Sequence, residues 1–264
     1  MSRSKHLKSF MVAGAFAAAL FVPATAGAGT ILGLVDGKTI VMIDPASWKV
    51  TGKVDVKGAS SLLGIDVRPA DGMLYGVTGD GNIVTIDAKS GQATQKSKLS
   101  ESLKPGVMAT IDFNPAADRL RVMGSDGTSH RVNVDDGKVT VDGSHKFKDG
   151  DANAGKTAKV TAGAYSNSFK GTTATALYNI DETTGTLVSQ APPNDGVLNT
   201  IGSLGIKISG PVAFNVVSPK ADDNAAWLVA DGSVYTVDLK TGKAAMAGKI
   251  TGLSGKLTDI AWWD

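Results

Sequence analysis

The chain has 264 residues with no cysteine, 32 glycines and three histidines, and 42% of it is hydrophobic against 20% charged. That composition excludes a disordered chain, and the lack of cysteine excludes disulfides, thiolate metal sites and cysteine nucleophiles. The formal charge of +2 includes Arg3, Lys5 and Lys8 at the start; beyond them 24 Lys and Arg face 25 Asp and Glu, a balance that removes the electrostatic basis for nucleic-acid binding.

Residues 1–26 read as a signal peptide: a basic Met1–Lys8, an apolar Phe10–Val22, and the small residues Ala24-Thr25-Ala26 before cleavage after Ala26 or, alternatively, Ala28. The apolar run is shorter than the ~20 residues that span a bilayer. An exported protein, periplasmic or secreted and without membrane insertion, is the expectation. Residues 27–264 then read as one domain.

That region opens with ILGLV (31–35), followed by TIVMIDPASWK. From there a repeat runs to the end: GIDVRP (64–69), TIDFNP (110–115), AGAYSN (162–167), PVAFNV (211–216) and DIAWWD (259–264), at steps of 46, 52, 49 and 48 residues. A second apolar run follows four of these segments (MLYGVT, RLRVMG, ATALYNI, AAWLVA), and a third ends most units in an acidic or amide turn (NIVTIDAKSGQ, HRVNVDDGK, SVYTVDLKTGK). Each unit closes with a weaker, more polar strand. Four short strands in ~45 residues, separated by Asp/Asn-Gly turns, are the signature of a propeller blade. No later segment carries helical periodicity. The expected fold class is therefore all-β, a five-bladed β-propeller with four antiparallel strands per blade. ILGLV matches a second strand and LTDIAWWD a first strand, so the N- and C-terminal strands should pair in one blade and remove two exposed edges.

Blade four departs from the pattern. Its third run is TLVSQ (186–190), the turn after it is PPNDG (192–196), and Asp181 belongs to an earlier hairpin turn. Lys146–Lys159, rich in Lys, Asp, Gly and Ala, reads as a mobile solvated loop. The runs GIDVRP, FNPAADRLRV, AYSNSF, LYNID and APPNDG, in this order over nearly the whole region, resemble an exported bacterial family designated domain of unknown function 4394. The resemblance implies a propeller-like fold and supplies no catalytic residues.

Strand alternation sorts the repeated first strands into two faces. One face, Ile65, Val67, Ile111, Phe113, Gly163, Tyr165, Val212, Phe214, Ile260 and Trp262, reads as blade-to-blade core. The other reads as lining of the central channel in two tiers, Asp66, Asp112, Ala164, Ala213 and Ala261, then Arg68, Asn114, Ser166, Asn215 and Trp263. Convergent amides, a guanidinium and an indole suit a small polar ligand at one mouth of the channel, a sugar or a small carboxylate. The candidate ligand-binding residues are Asp66, Arg68, Asp112, Asn114, Ser166, Asn215 and Trp263. A purely structural role competes with this reading: Asp66 and Asp112 would accept hydrogen bonds from buried amides and close the ring, with Arg121 facing Asp112 across the hairpin that turns near Ala116.

A hydrolase of glycosidase or lactonase type is the alternative, with Asp66 and Asp112 as the carboxylate pair. A scaffold binding another exported protein on its outer loops is the third reading. No cofactor, no metal and a monomeric state are expected. His130 and His145 read as surface histidines, and the basic group Arg119, Arg121, His130 and Arg131 as neutralised by Asp112, Asp118, Asp126, Asp135 and Asp136.

Overall fold

The structure, a computed structural model, describes residues 29–208 and 210–264; the expected signal peptide lies outside them. The strands run β1 (Thr30–Val35), β2 (Thr39–Asp44), β3 (Lys49–Asp55), β4 (Leu62–Val67), β5 (Leu74–Thr78), β6 (Asn82–Ile86), β7 (Ala93–Lys98), β8 (Ala109–Asn114), β9 (Arg119–Gly124), β10 (Ser129–Val132) and β11 (Val139–Val141). They continue with β12 (Lys146–Phe147), β13 (Val160–Tyr165), β14 (Leu177–Asp181), β15 (Thr186–Gln190), β16 (Val197–Ser203), β17 (Val212–Lys220), β18 (Asp223–Ala230), β19 (Ser233–Val237), β20 (Ala244–Lys249) and β21 (Leu257–Trp263). A single 3₁₀ turn at Pro193–Asp195 is the one helical element among the described residues.

These strands form five antiparallel blades: β21-β1-β2-β3, β4 to β7, β8 to β11, β13 to β16, and β17 to β20. Contacts run β21 to β4, β4 to β8, β8 to β13, β13 to β17 and β17 to β21, so the five first strands form a closed inner ring. The expected closure is present: β1 pairs antiparallel with β21, Gly33 opposite Ile260 and Leu32 opposite Ala261. One apolar cluster occupies each seam between neighbouring blades.

The turns into the fourth strands explain the Asp-x-x-x-Gly spacing. In blades 2 and 5 the glycine amide donates back to the aspartate carbonyl, Gly91 to Asp87 at 2.8 Å and Gly242 to Asp238 at 2.7 Å. The glycine there has φ of +75° or +78°, a region L side chains avoid. Blade 1 puts Trp48 at this position with φ of +56°. Its amide makes the same bond to Asp44 at 2.8 Å, and its indole packs edge-on against Trp227, 5.6 Å between centroids. Aromatic packing across the blade 5–1 seam thus offsets backbone strain.

Lys146–Lys159 is anchored rather than mobile. β12 adds a fifth, parallel strand outside β16, with Lys146 opposite Val197 and Phe147 opposite Leu198. Phe147 is buried in the blade 4 core. Asp151 accepts the Thr200 amide at 2.7 Å and hydroxyl at 2.6 Å, and Asn153 donates to the same hydroxyl at 3.0 Å. Polar composition suggested solvation, but the polar side chains satisfy the outer edge of blade 4 instead.

The histidines also depart from expectation. His130 is 2% and His145 9% exposed. Burial lowers both pKa values, that of His145 to about 4 with the Arg121 cation as a second cause.

Candidate functional site

Beyond the ends of β4, β17 and β21 the inner ring opens into a cavity of about 390 Å³, within the size range of small-molecule sites. Four of the seven expected residues line it: Asp66, Arg68, Asn215 and Trp263. They come from three blades, because equivalent positions of the repeated first strand converge at one end of the ring. Trp262 and Asp264 border it as well, as do Ser168, Phe169 and Lys170 from the β13–β14 loop.

Asp112, Asn114 and Ser166 are not in this lining. Asp112 is buried, and its Oδ1 accepts the Tyr165 amide at 2.8 Å. Asn114 caps its own turn, its Oδ1 accepting the amides of Ala116 at 3.0 Å and Ala117 at 2.9 Å. The Ser166 hydroxyl accepts the Ala176 amide at 2.9 Å and anchors the start of the β13–β14 loop. Since Asp112 stands outside the cavity, Asp66 and Asp112 do not flank a common open space as a glycosidase pair would.

The Asp tier closes the ring as a structural role requires. Asp66 Oδ2 accepts the Phe113 amide at 2.7 Å across the blade 2–3 seam. Asp112 repeats the contact to Tyr165 one blade further on. A third carboxylate, Asp259, accepts the Ile65 amide at 3.0 Å across the blade 1–2 seam. Asp259 is the counterpart of Gly64 in the repeat, so its bond lies two residues earlier along the inner strand than the other two. The approach requires Gly64: a Cβ there would sit 2.7 Å from the Asp259 carboxylate oxygen. Sequence reasoning missed Asp259, although it shares the channel parity of Ala261 and Trp263.

Burial pushes all three carboxyls up, Asp66 to about 7, and for Asp112 and Asp259 the nearby Asp66 charge adds to it. Near neutral pH the Asp66 carboxyl can therefore both donate and accept at the floor of the cavity.

Arg68 is a less available donor than its position in the strand suggests. Its Nε and Nη2 donate to Asp118 at 2.8 and 2.6 Å, and Nη1 to Asp71 at 3.2 Å and the Tyr75 hydroxyl at 3.3 Å. The pairing lowers the Asp118 pKa. Asn215 donates to the Ile260 carbonyl at 3.0 Å, bridging blades 5 and 1. What remains to meet a ligand is the Lys170 ammonium, the Ser168 hydroxyl, the Asp66 carboxyl, the exposed Asp264 carboxylate and the rings of Phe169 and Trp263.

The β13–β14 loop was not recognised in the sequence as part of the site, because it has no counterpart in the repeat. Its signal was length: blade 4 takes residues 166–176 to join its first two strands, whereas blade 3 takes 115–118. The loop is pinned at Asn167, where φ is +52°. The Asn167 amide donates to Asn224 Oδ1 at 2.8 Å, and Asn167 Oδ1 accepts the Asp222 amide at 2.9 Å. Both partners belong to the β17–β18 turn region of blade 5.

The expected Asp112–Arg121 pairing is corrected. The two residues are register partners on β8 and β9, but no ion pair joins them. Arg121, fully buried, turns into the blade 3–4 seam. There it donates to Asp142 at 2.5 Å, Ser129 at 3.0 Å, the Tyr165 hydroxyl at 3.2 Å and Asn194 at 3.0 Å. Asp142 also binds Arg131 at 2.8 and 3.0 Å, so it is Asp142 that neutralises these two arginines. A guanidinium fork satisfied this fully outcompetes a carboxylate already held by an amide.

Among the described residues no cluster of His, Asp and Glu could hold a metal ion, and no helix is long and apolar enough to cross a membrane.

Three solved structures are similar to this chain, one of them with a TM-score above 0.5. A protein of unknown function from Bacteroides thetaiotaomicron VPI-5482 is similar at 12% identity and a TM-score of 0.53, over 88% of this chain and 63% of that one. A protein of unknown function from Bacteroides caccae matches at 13% identity and a TM-score of 0.46, over 83% of this chain and 73% of that one. The dihydro-heme d1 dehydrogenase NirN, in complex with DHE, matches at 12% identity and 0.42, over 86% of this chain and 44% of that one. No curated protein matches. The family model described as Domain of unknown function (DUF4394) matches residues 27–261, so the chain belongs to that family.

Proposed function

We propose that the protein is an exported binding module that takes a small polar molecule, a sugar or a small carboxylate, into the cavity at the mouth of the ring. The observation that carries this reading is the convergence of side chains from four blades on one cavity, with aromatic faces at Phe169 and Trp263, a cation at Lys170 and a carboxyl at Asp66. Aromatic faces give a sugar ring a stacking surface, and the few polar groups orient it. Export is supported by the basic, apolar, small-residue order of residues 1–26.

A thermal-shift and tryptophan-fluorescence screen of monosaccharides and small carboxylates tests the site. A ligand of this cavity raises Tm with the logarithm of its concentration once that exceeds Kd, and Phe169→Ala and Trp263→Ala weaken it at least about tenfold, equivalent to ~1.4 kcal/mol. Ligands that bind both variants as tightly as the parent protein overturn the reading.

A further inference from the structure

A second cavity of about 490 Å³ lies beside the first, along blade 2. The two share Gly72 and Trp263 in their linings. No Cβ stands at Gly72, and one placed there would meet nothing within 4 Å, so the ridge between the cavities is open on that side. Trp263 is half-buried against the apolar cluster of the blade 1–2 seam. Unlike Trp262, whose indole N–H donates to Asp264 at 2.7 Å, Trp263 has no hydrogen-bond acceptor for its indole among the described residues.

The second cavity has a distinct chemistry. Its backbone groups are already committed: the Asp87 amide donates to the Gln92 carbonyl at 2.9 Å, the Gly91 amide to the Asp87 carbonyl at 2.8 Å, and the Ala93 amide to the Lys57 carbonyl at 2.8 Å. The Lys89 and Ser90 amides are held by the Asp87 carboxylate at 3.0 and 2.7 Å. The backbone between Asp87 and Ala93 therefore offers an extended peptide little to pair with. The exposed lining side chains are the Ser90 and Thr94 hydroxyls, the Gln92 amide, whose Nε2 already donates to the Ala93 carbonyl at 2.9 Å, the Asp87 carboxylate and Met73, with the Trp263 ring at one end.

From this continuity we infer that the ligand is a linear carbohydrate chain, one sugar unit seated in the mouth cavity and the following units crossing Trp263 into the trough along Gln92 and Thr94. The inference rests on the mouth-site reading and names its ligand class. Hydroxyl-bearing rings match a surface that offers hydroxyls, an amide, a carboxylate and an indole face.

The test is chain length. Cello-, chito- and oligogalacturonate ladders from mono- to hexasaccharide are titrated against the parent protein by tryptophan fluorescence and calorimetry. Affinity in at least one ladder should rise about tenfold or more between the disaccharide and the hexasaccharide. Gln92→Ala with Thr94→Val should abolish that gain while leaving monosaccharide binding unchanged, and Trp263→Ala should weaken both. Binding that is flat with length overturns the trough inference and leaves the mouth site standing. Failure of every ladder overturns the inference, and the mouth site is then decided by its own screen, small carboxylates included. A dodecapeptide pool that binds where the ladders do not, and is lost in the Gln92 and Thr94 variant, overturns it in favour of a peptide.

Discussion

Between blades 5 and 1, Trp227 meets both Trp48 and Trp262 edge to face, each at 5.6 Å, over a cluster of aliphatic side chains from both blades. Between blades 3 and 4, the buried Arg121 guanidinium binds Ser129, Tyr165, Asp142 and Asn194 instead, and Met123 is the one residue of blade 3 in the buried apolar cluster there. The first seam is held by contacts that depend on area and hardly on direction. The second is held by directional bonds that need particular donors at particular places. The runs FNPAADRLRV and PPNDG meet in this second seam through Arg121 and Asn194, as a structural clamp, while the candidate site is built from the ends of the first strands.

Removing Leu257–Asp264 breaks the comparison most severely. The deletion takes Ile260 and Trp262 out of the apolar seam, the Asp259 carboxylate out of the blade 1–2 seam, and the partner strand from β1. The truncated protein should lose cooperative unfolding by circular dichroism and aggregate in size exclusion, since the edge of β1 is left unpaired and the inner ring is broken. A truncated chain that stays monomeric with the parent Tm means closure does not hold the ring.

Arg121→Ala comes next and isolates the polar seam. It leaves Asp142 buried with Arg131 alone, and a broken buried pair costs about 3 kcal/mol. Urea unfolding should read that loss. Arg121→Met combined with Asp142→Ala should recover most of it, because no fully buried charge is then left unpaired and Arg131, about a third exposed, is left to solvent; a double variant as unstable as the single one would show that the guanidinium's other three bonds matter more.

A smaller effect separates the hydrogen bond of Asp112 from its charge. Asp112→Ala orphans the buried Tyr165 amide, at a cost of roughly 1–3 kcal/mol. Asp112→Asn keeps an oxygen acceptor and removes the repulsion with Asp66 and Asp259, so it should be near neutral in the same urea experiment. Equal losses in the two variants would mean that the charge itself is needed.

The remaining effect is on pH dependence. Asp66 titrates at about 7 when folded against an ordinary 3.8, so its contribution to stability is complete below about pH 4 and is lost as pH rises to about 7. His145 acts in the opposite sense: with its pKa lowered from 6.5 to about 4, it costs stability as pH falls through that range. Asp66→Asn should therefore gain Tm relative to the parent on going from pH 4.5 to pH 8, and His145→Gln should gain on going from pH 8 to pH 4.5. A difference that is constant with pH in either variant means that group does not titrate as its burial implies.

Much of the architecture was legible in the chain itself. The repeat of GIDVRP-like strands determined the blade number, and the match of ILGLV to a second strand and DIAWWD to a first determined the closure. Strand parity also put Asp66, Arg68, Asn215 and Trp263 at one end of the ring. These are consequences of order along the chain, because a strand alternates its faces every residue and a blade must pair its edges. Only the tertiary structure decided which groups meet across blades. Asp259 reaches Ile65 two residues out of step with the other carboxylates, and Arg121 leaves its register partner for Asp142 and Asn194. The β13–β14 loop carries Phe169 and Lys170 to the cavity, and Lys146–Lys159 lies down on blade 4. Such contacts depend on the angle between neighbouring sheets and the path of irregular loops, and neither is written in a local period.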